Sequence, residues 1–452
     1  MSVWIEGRRS RGAAVLVVLL ATVACQAFSP GFAEFGGERT RSLRDRAAQQ
    51  DAMLELRLEL LLPSLMDAAG IDCWLVVSDG VSSDPVVSAL TVAASRLEGM
   101  GALLLCRNGA GLSRFALGRG LDANAGIYEV AEPADGMALE DLINDRLRTL
   151  QPQRIAIDDA FSFAPADGLS ASDARWLRER LDPEFADRLI SARPLVEDFL
   201  STQLDVEAPL LAESTRLTAA ILEEVLSDRV VVAAGTSLAD LDWAVRSRVA
   251  AIDAELAYPP YAFVYRPGST LEAEHAMGMD VIVQPGDLVF LSAGIGYMGY
   301  ANRLGRWAYL LPSGTRQAPE WVDEALAGLA DGAAAATTAL AVGQDDAQAH
   351  GSALTALTGM ADPRVVLDRV TRLRAGSLDP WRPAAVFDTW RPDYRLAGDT
   401  GLVITVHATV APPPPPGAAP QPFVMLTIDT ALLTSTGGRL VVPAQRTPLL
   451  ID

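Results

Sequence analysis

The sequence predicts an α/β domain followed by an α+β domain in a single chain, and three observations predict it. Up to about residue 181, short apolar runs of strand length alternate with helical periodicities, which is the pattern of a sheet layered with helices. From about residue 206 onward, long amphipathic helices come in pairs between pairs of strand-like runs. The chain has 452 residues, 50% of them hydrophobic, with a mean hydropathy of +0.20, enough to bury two or three cores.

The elements follow in order. From Asp51, Met53, Leu54, Leu58, Leu61, Leu62, Leu65 and Met66 recur at three and four, with Gly70 as a stop, and predict a helix. Strands are expected at 73–77, 102–106, 114–117, 127–130 and 154–158, with helices near 138–150 and 171–181. Val206, Leu210, Leu217, Ile221 and Val225 fall on one helical face, and a second helix near 238–252 has Thr236 or Ser237 as its cap. A strand at 261–265, a hairpin over 287–311, helices near 319–340 and 344–358, and strands near 402–410, 423–433 and 439–442 complete the pattern. The stretch from Asp362 to Asp399 is poor in regular pattern, and the five prolines at 412–416 read as a stiff surface loop. Residues 34–50 are polar and arginine-rich and read as a tether, so the domains are expected at 51–197 and 198–452.

Composition excludes several functions. The net charge is −20, the pI is near 4.6, and no lysine occurs among the 37 basic residues. Such a surface repels phosphate backbones, so no nucleic-acid partner is expected. A Schiff base, a Walker A lysine and a Ser-Lys dyad are ruled out for want of lysine. Residues 1–33 carry Arg8, Arg9 and Arg11, an apolar run from Ala13 to Ala24 and then small residues, the layout of an export signal. The run is shorter than the roughly 20 residues that span a bilayer. Cys25 follows Leu20-Ala21-Thr22-Val23-Ala24, so lipidation of Cys25 is the alternative to plain cleavage after Ala24 or Ala27, and a membrane is expected only in that case. The mature protein is expected to be periplasmic or secreted. Cys73 and Cys106 lie in the strand-like runs CWLVV and ALLLC, a setting that favours buried free thiols over a disulfide.

The most telling stretch is GDLVFLSAGIGYMGYANRLGRWAYLL, Gly286 to Leu311. It resembles the strand pair of the creatinase / Xaa-Pro aminopeptidase / methionine aminopeptidase ("pita-bread") superfamily, which reads as an apolar strand ending in I-D-F-G, a turn often containing Y-M-G, then N-T-D-T. LELLLPSLMDAAGIDCWLVV and DPVVSALT resemble the N-terminal domain of creatinase-type aminopeptidases. YRLAGDTGLVITVH, FVMLTIDTALLTSTGG and RLVVPAQRTPLLI are similar to the superfamily's later strands and tail. The resemblance implies a creatinase-like N-terminal α/β domain followed by a pita-bread domain. In active members, two divalent ions share two aspartates, one histidine and two glutamates, and a bridging hydroxide attacks the peptide carbonyl.

Laid on that frame, Ser292 stands at the first aspartate and Arg303 at the second, with the spacing kept. Thr405 stands at the first glutamate, and Thr427 or Ile428 at the last. The region matching the ligand histidine, Leu373 to Phe387, has none and carries Trp381, Arg382 and Pro383 instead, while an accessory histidine is matched by Tyr258 ahead of Pro259. Divalent ions need anionic oxygen, and a guanidinium about 4 Å from one costs roughly 8 kcal/mol at an effective dielectric of about 20. The resemblance therefore implies a pseudopeptidase with no metal and no cofactor, with a binding or scaffolding role.

Other features are weighed beside it. Gly294-Ile295-Gly296-Tyr297-Met298-Gly299 formally matches G-x-G-x-x-G, but a strand-like sequel argues against a nucleotide fingerprint. Of the three histidines, His350 reads as a surface residue of a helix, and His275 as a loop residue with a spacing similar to an accessory histidine of another branch. His407 shares a strand face with Thr405, and Asp429 with Thr427, so His407 and Asp429 are expected near the former pocket if their strands pair. Ser292 is a nucleophile candidate by location alone, since no G-x-S-x-G elbow exists. Trp307, Tyr309, Trp381, Trp390 and Tyr394 either line a cleft or pack under the sheet. The expected ligand is a peptide or small carboxylate held by Arg303, with His407 and Asp429 as further binding candidates. A homodimer or pairing with an active paralogue is the expected assembly. The rival reading is an active metallopeptidase or other hydrolase with a displaced set such as Asp280, Asp287, His407 and Asp429.

Overall fold

The computed structural model describes residues 34–35, 38–80, 84–109, 111–160, 163–267, 280–360, 365–372, 394–413 and 422–452. Residues 1–33 with Cys25, His275, the 373–393 stretch with Trp381 and Trp390, and most of the proline run lie outside them.

The first helix begins earlier than its apolar periodicity suggests. Ser42 caps it by accepting from the Asp45 N–H, and it runs Leu43–Leu56 before one π turn, Arg57–Leu61, and the helix Leu62–Ala69. Pro63 has no N–H to give, and the Leu62 N–H reaches back to the Arg57 carbonyl, so the turn widens there. Gly70, at φ +62°, closes the helix in the left-handed conformation. Residues 40–46 are therefore not a tether, which corrects the reading from polarity alone. Arg41 pairs with Glu213 at 2.9 Å and its N–H meets the Tyr297 hydroxyl, while buried Arg46 donates to the Ile252 and Asp253 carbonyls at the end of a helix of the second domain. Arg46 thus uses its charge to satisfy carbonyls that the end of the helix Leu238–Ala251 leaves open.

A six-stranded sheet forms the first domain, in the order Glu129–Ala131, Gly111–Arg119, Glu98–Asn108, Cys73–Ser78, Ile155–Ile157, Leu189–Ser191. Its two faces bury separate cores, one under the first helices around Trp74 and Phe199, the other under Leu139–Leu150 and Ala171–Arg180. Cys73 and Cys106 face one another in register across adjacent strands, with Cα atoms 4.1 Å apart, and are joined as a disulfide. This corrects the expectation of free thiols: burial says nothing about pairing, and register does.

The second domain repeats one design twice. Helices Ala208–Val225 and Leu238–Ala251 pack on the sheet of Glu255–Tyr265, Leu288–Tyr297, Leu304–Leu310 and Leu449–Ile451. Helices Glu320–Thr338 and Asp346–Thr358 pack on the sheet of Val365–Arg372, Thr400–Val410, Phe423–Thr434 and Gly437–Leu440. One continuous core joins both halves. The strand Val365–Arg372 and the helix Arg193–Ser201 were not legible in the apolar pattern. The G-x-G-x-x-G stretch lies in a strand and its turn, with Met298 at φ +52° and Gly299 at φ +83°, as a two-residue hairpin of type I′ requires.

The domains meet through a buried charge network. Arg57 Nη1 lies 2.9 Å from Glu207 Oε2, its guanidinium also donates to the Phe199 and Thr202 carbonyls, and the Tyr300 hydroxyl donates to Glu207. Glu207 thereby ties the first helix to the hairpin turn of the second domain.

Candidate functional site

Register places the candidate residues. Phe290 lies opposite Phe263 and Trp307, Ser292 opposite Tyr261 and Gly305, and Gly294 opposite Tyr258. The Thr430 hydroxyl accepts from the Arg303 N–H at 3.0 Å and donates to its carbonyl at 2.8 Å, and Trp307 Nε1 donates to the Leu426 carbonyl at 2.8 Å. These bonds draw Phe423–Thr434 alongside the first sheet. Across it, Thr405 opposes Ile428 and His407 opposes Leu426. Side chains alternate along each strand, so Ser292, Gly305, Ile428 and Thr405 form one row across both sheets. A Cβ on Gly305 would stand 3.5 Å from Ile428 Cβ, which fixes Ile428 on this face.

The structure thus brings Ser292, Arg303 and Thr405 to one face. Of the two positions left open by sequence, Ile428 completes the row, while Thr427 turns to the helix side and donates to Asp429 at 2.5 Å. The pairing of His407 with Asp429 is overturned for the same reason: Asp429 opposes Ile404, on the other face of the sheet from His407. Asp429 is fully buried, its carboxyl is raised by burial against the opposing pull of Arg306 and Thr427, and Arg306 Nη1 stands 3.8 Å away.

The displaced ligand set is scattered as well. Asp287 is spent on a turn, accepting from Arg266 at 2.7 and 2.8 Å and from the Gln284 N–H. Among the described residues, no three of His, Cys, Asp and Glu come together closely enough to hold a metal ion. His350 is exposed on its helix.

Around the row the chemistry is aromatic and cationic. Phe263, Phe290 and Trp307 pack with centroids 5.0 to 5.3 Å apart, and the Phe290 ring covers Gly305 so closely that a Cβ there would stand 2.5 Å from its Cζ. Trp307, Tyr309 and Tyr394 are core residues rather than the lining of an open cleft. Ser292 is wholly buried, and its hydroxyl has no hydrogen-bond partner among the described residues. The Arg303 guanidinium lies over the Tyr258 ring at 5.1 Å, the cation–π range. Burial raises the Tyr261 hydroxyl, and the Arg303 charge opposes that. Alternation by two from Ser292 and Arg303 would have pointed to Phe290, Gly305 and Trp307 in the sequence; nothing local would have selected Ile428.

Among the described residues, this face presents a divalent metal pair with one buried hydroxyl, one threonine, an isoleucine and a guanidinium, and with no anionic oxygen to offset an ion's desolvation.

Neither protein-family models nor curated protein sequences match the chain. Solved structures do. An X-Pro aminopeptidase from Thermotoga maritima is similar at a TM-score of 0.61 and 13% identity, covering 86% of this chain and 99% of its own. An Xaa-Pro dipeptidase from Bacillus anthracis is similar at 0.56 and 15%, covering 89% and 99%. The N-terminal domain of the FACT complex subunit SPT16 from chickpea is similar at 0.57 and 11%, covering 89% and 99%. These likenesses show the fold: a creatinase-like N-terminal domain followed by a pita-bread domain.

Proposed function

We propose that this chain is an exported protein of Xaa-Pro aminopeptidase-like fold that does not hydrolyse peptides and serves instead as a binding or scaffolding protein. The observation that carries this reading is the row Ser292, Gly305, Ile428, Thr405 with Arg303 beside it, which offers a divalent ion no carboxylate. Without an ion, no group among the described residues of this face makes hydroxide at neutral pH. Export is supported by the layout of residues 1–33 and agrees with the Cys73–Cys106 disulfide, a bond favoured outside the cytosol.

The same face suits an anion. Arg303 puts a permanent positive charge where the superfamily places metal charge, and a guanidinium matches a carboxylate with two parallel hydrogen bonds. The proposed ligand is the carboxylate of a short peptide or small acid. The likeness to a complex subunit is fold-level analogy, and it supports a non-catalytic role only to that extent.

Calorimetric titration with Xaa-Pro dipeptides and their C-terminal amides, in chelator, tests this. Saturable binding of the free acids, lost with the amides and in Arg303→Ala, is the expected result. Turnover of the dipeptides on adding manganese, cobalt or zinc would overturn the reading.

A further inference from the structure

The strand Leu304–Leu310 gives one edge to Leu288–Tyr297 and turns the other toward the second half of the domain. Backbone groups alternate between the edges of a strand. Asn302 faces the first edge, its N–H donating to the Ile295 carbonyl at 3.2 Å, so Arg303, Gly305 and Trp307 face the second. There, side chains take the place of a neighbouring strand. The Gln445 amide accepts from the Trp307 N–H at 2.7 Å and donates to its carbonyl at 2.8 Å. The Thr430 hydroxyl serves Arg303 in the same way, accepting from its N–H at 3.0 Å and donating to its carbonyl at 2.8 Å.

Arg303 is where this arrangement bears on binding, because it stands between the strands Tyr300–Ala301 and Leu304–Leu310 and belongs to neither. From the first half, the chain is held through its neighbour Asn302, whose buried side chain is bonded to Ser214 and Thr218 of the helix Ala208–Val225. From the second half it is held by Thr430, which is wholly buried. The Arg303 guanidinium lies over the Tyr258 ring, and that ring lies against Gly294, where a Cβ would stand 2.7 Å from Tyr258 Cδ2. With one face of the guanidinium against the ring, a carboxylate meets its edge, and a two-bonded pair of that kind depends on direction as well as distance.

We propose that Thr430 is a positioning residue of the carboxylate site: its hydroxyl, supplied by the second half of the domain, fixes the main chain of Arg303 and so the direction in which the guanidinium meets the ligand. This rests on the carboxylate reading of Arg303. It makes the site a joint product of the two halves. By reciprocity, a ligand that needs the Thr430 bonds also strengthens them.

Titration of the chain without residues 1–33 with Xaa-Pro dipeptides tests this. Thr430→Val keeps the shape and removes both hydrogen bonds, and should weaken binding of the free acids about tenfold or more. Thr430→Ser restores the hydroxyl and should stay within about threefold of wild type. Gln445→Met breaks the matching pair at Trp307 on the same edge and should leave the affinity unchanged, which separates positioning of Arg303 from a general loosening of the seam. Hydrogen exchange of the wild type gives a reading that needs no variant: saturating dipeptide should slow the Arg303 amide by about the same tenfold and leave the Trp307 amide unchanged. If the wild type binds no free acid, the carboxylate reading and this inference fall together. If it binds, an affinity unchanged in Thr430→Val, an equal loss in Thr430→Val and Gln445→Met, or Arg303 exchange indifferent to the dipeptide would overturn the role of Thr430 alone.

Discussion

Replacing Arg57 by Met is the most informative perturbation of the domain junction. Glu207 is fully buried and Arg57 nearly so, with Arg57 Nη1 3.1 and 2.9 Å from the two carboxylate oxygens. Opposite unit charges about 4 Å apart attract by about 4 kcal/mol at an effective dielectric of about 20. Met keeps much of the aliphatic stem but leaves Glu207 with the Tyr300 hydroxyl and the Leu204 N–H as its remaining partners. It also strips the Phe199 and Thr202 carbonyls of their donor. Breaking one side of a buried pair costs about 3–5 kcal/mol, so Arg57→Met should lose about that much. Urea unfolding followed by tryptophan fluorescence and circular dichroism measures the loss, and the double variant Arg57→Met with Glu207→Gln should recover about half or more of it. A single-variant loss below about 1 kcal/mol, or a double variant whose loss is the plain sum of the singles, would refute the idea that the pair holds the junction.

Three further outcomes are expected. Reducing the Cys73–Cys106 bridge, which closes a loop of sequence separation 33, should lower stability by about 3–4 kcal/mol by loop entropy, and equal urea midpoints with and without reductant would contradict the pairing. Gly294→Ala should cost about 1–3 kcal/mol or more, because a Cβ there would stand 2.0 Å from the Asn302 carbonyl oxygen and 2.7 Å from the Tyr258 ring; a thermal melt unchanged from wild type would mean the strands are not packed this way. Asp158 is held well above the usual carboxylate range by burial and then by Asp84, so the folded state binds the extra proton and stability falls as pH rises above about 4. Asp158→Asn keeps an acceptor for Trp74 and should flatten that slope in melts from pH 4 to 8, whereas an unchanged slope would place the titration elsewhere.

Much of the fold was legible because both periods in the sequence are strong. The leucines between Leu54 and Met66 and the apolar run that opens Leu288–Tyr297 each announced their element. The helix from Leu43 was hidden because arginines make it polar, and Arg46 is buried for its hydrogen bonds rather than for its hydrophobicity. Ser292, Arg303 and Thr405 were readable from the frame of the hairpin and the later strand. The choice between Thr427 and Ile428, the separation of His407 from Asp429, and the Cys73–Cys106 bond all depend on register, which shifts every side chain to the other face with a slip of one residue. Phe290 over Gly305 is likewise a cross-strand event, invisible along either strand alone.

Elemental analysis of the chain without residues 1–33, purified without chelator and incubated with manganese, cobalt and zinc before desalting, tests the central claim most directly. The donor set of Ser292, Arg303, Thr405 and Ile428 predicts no stoichiometric divalent metal. One or two ions per chain, retained by the wild type and released by a substitution on this face such as Thr405→Ala, would contradict it.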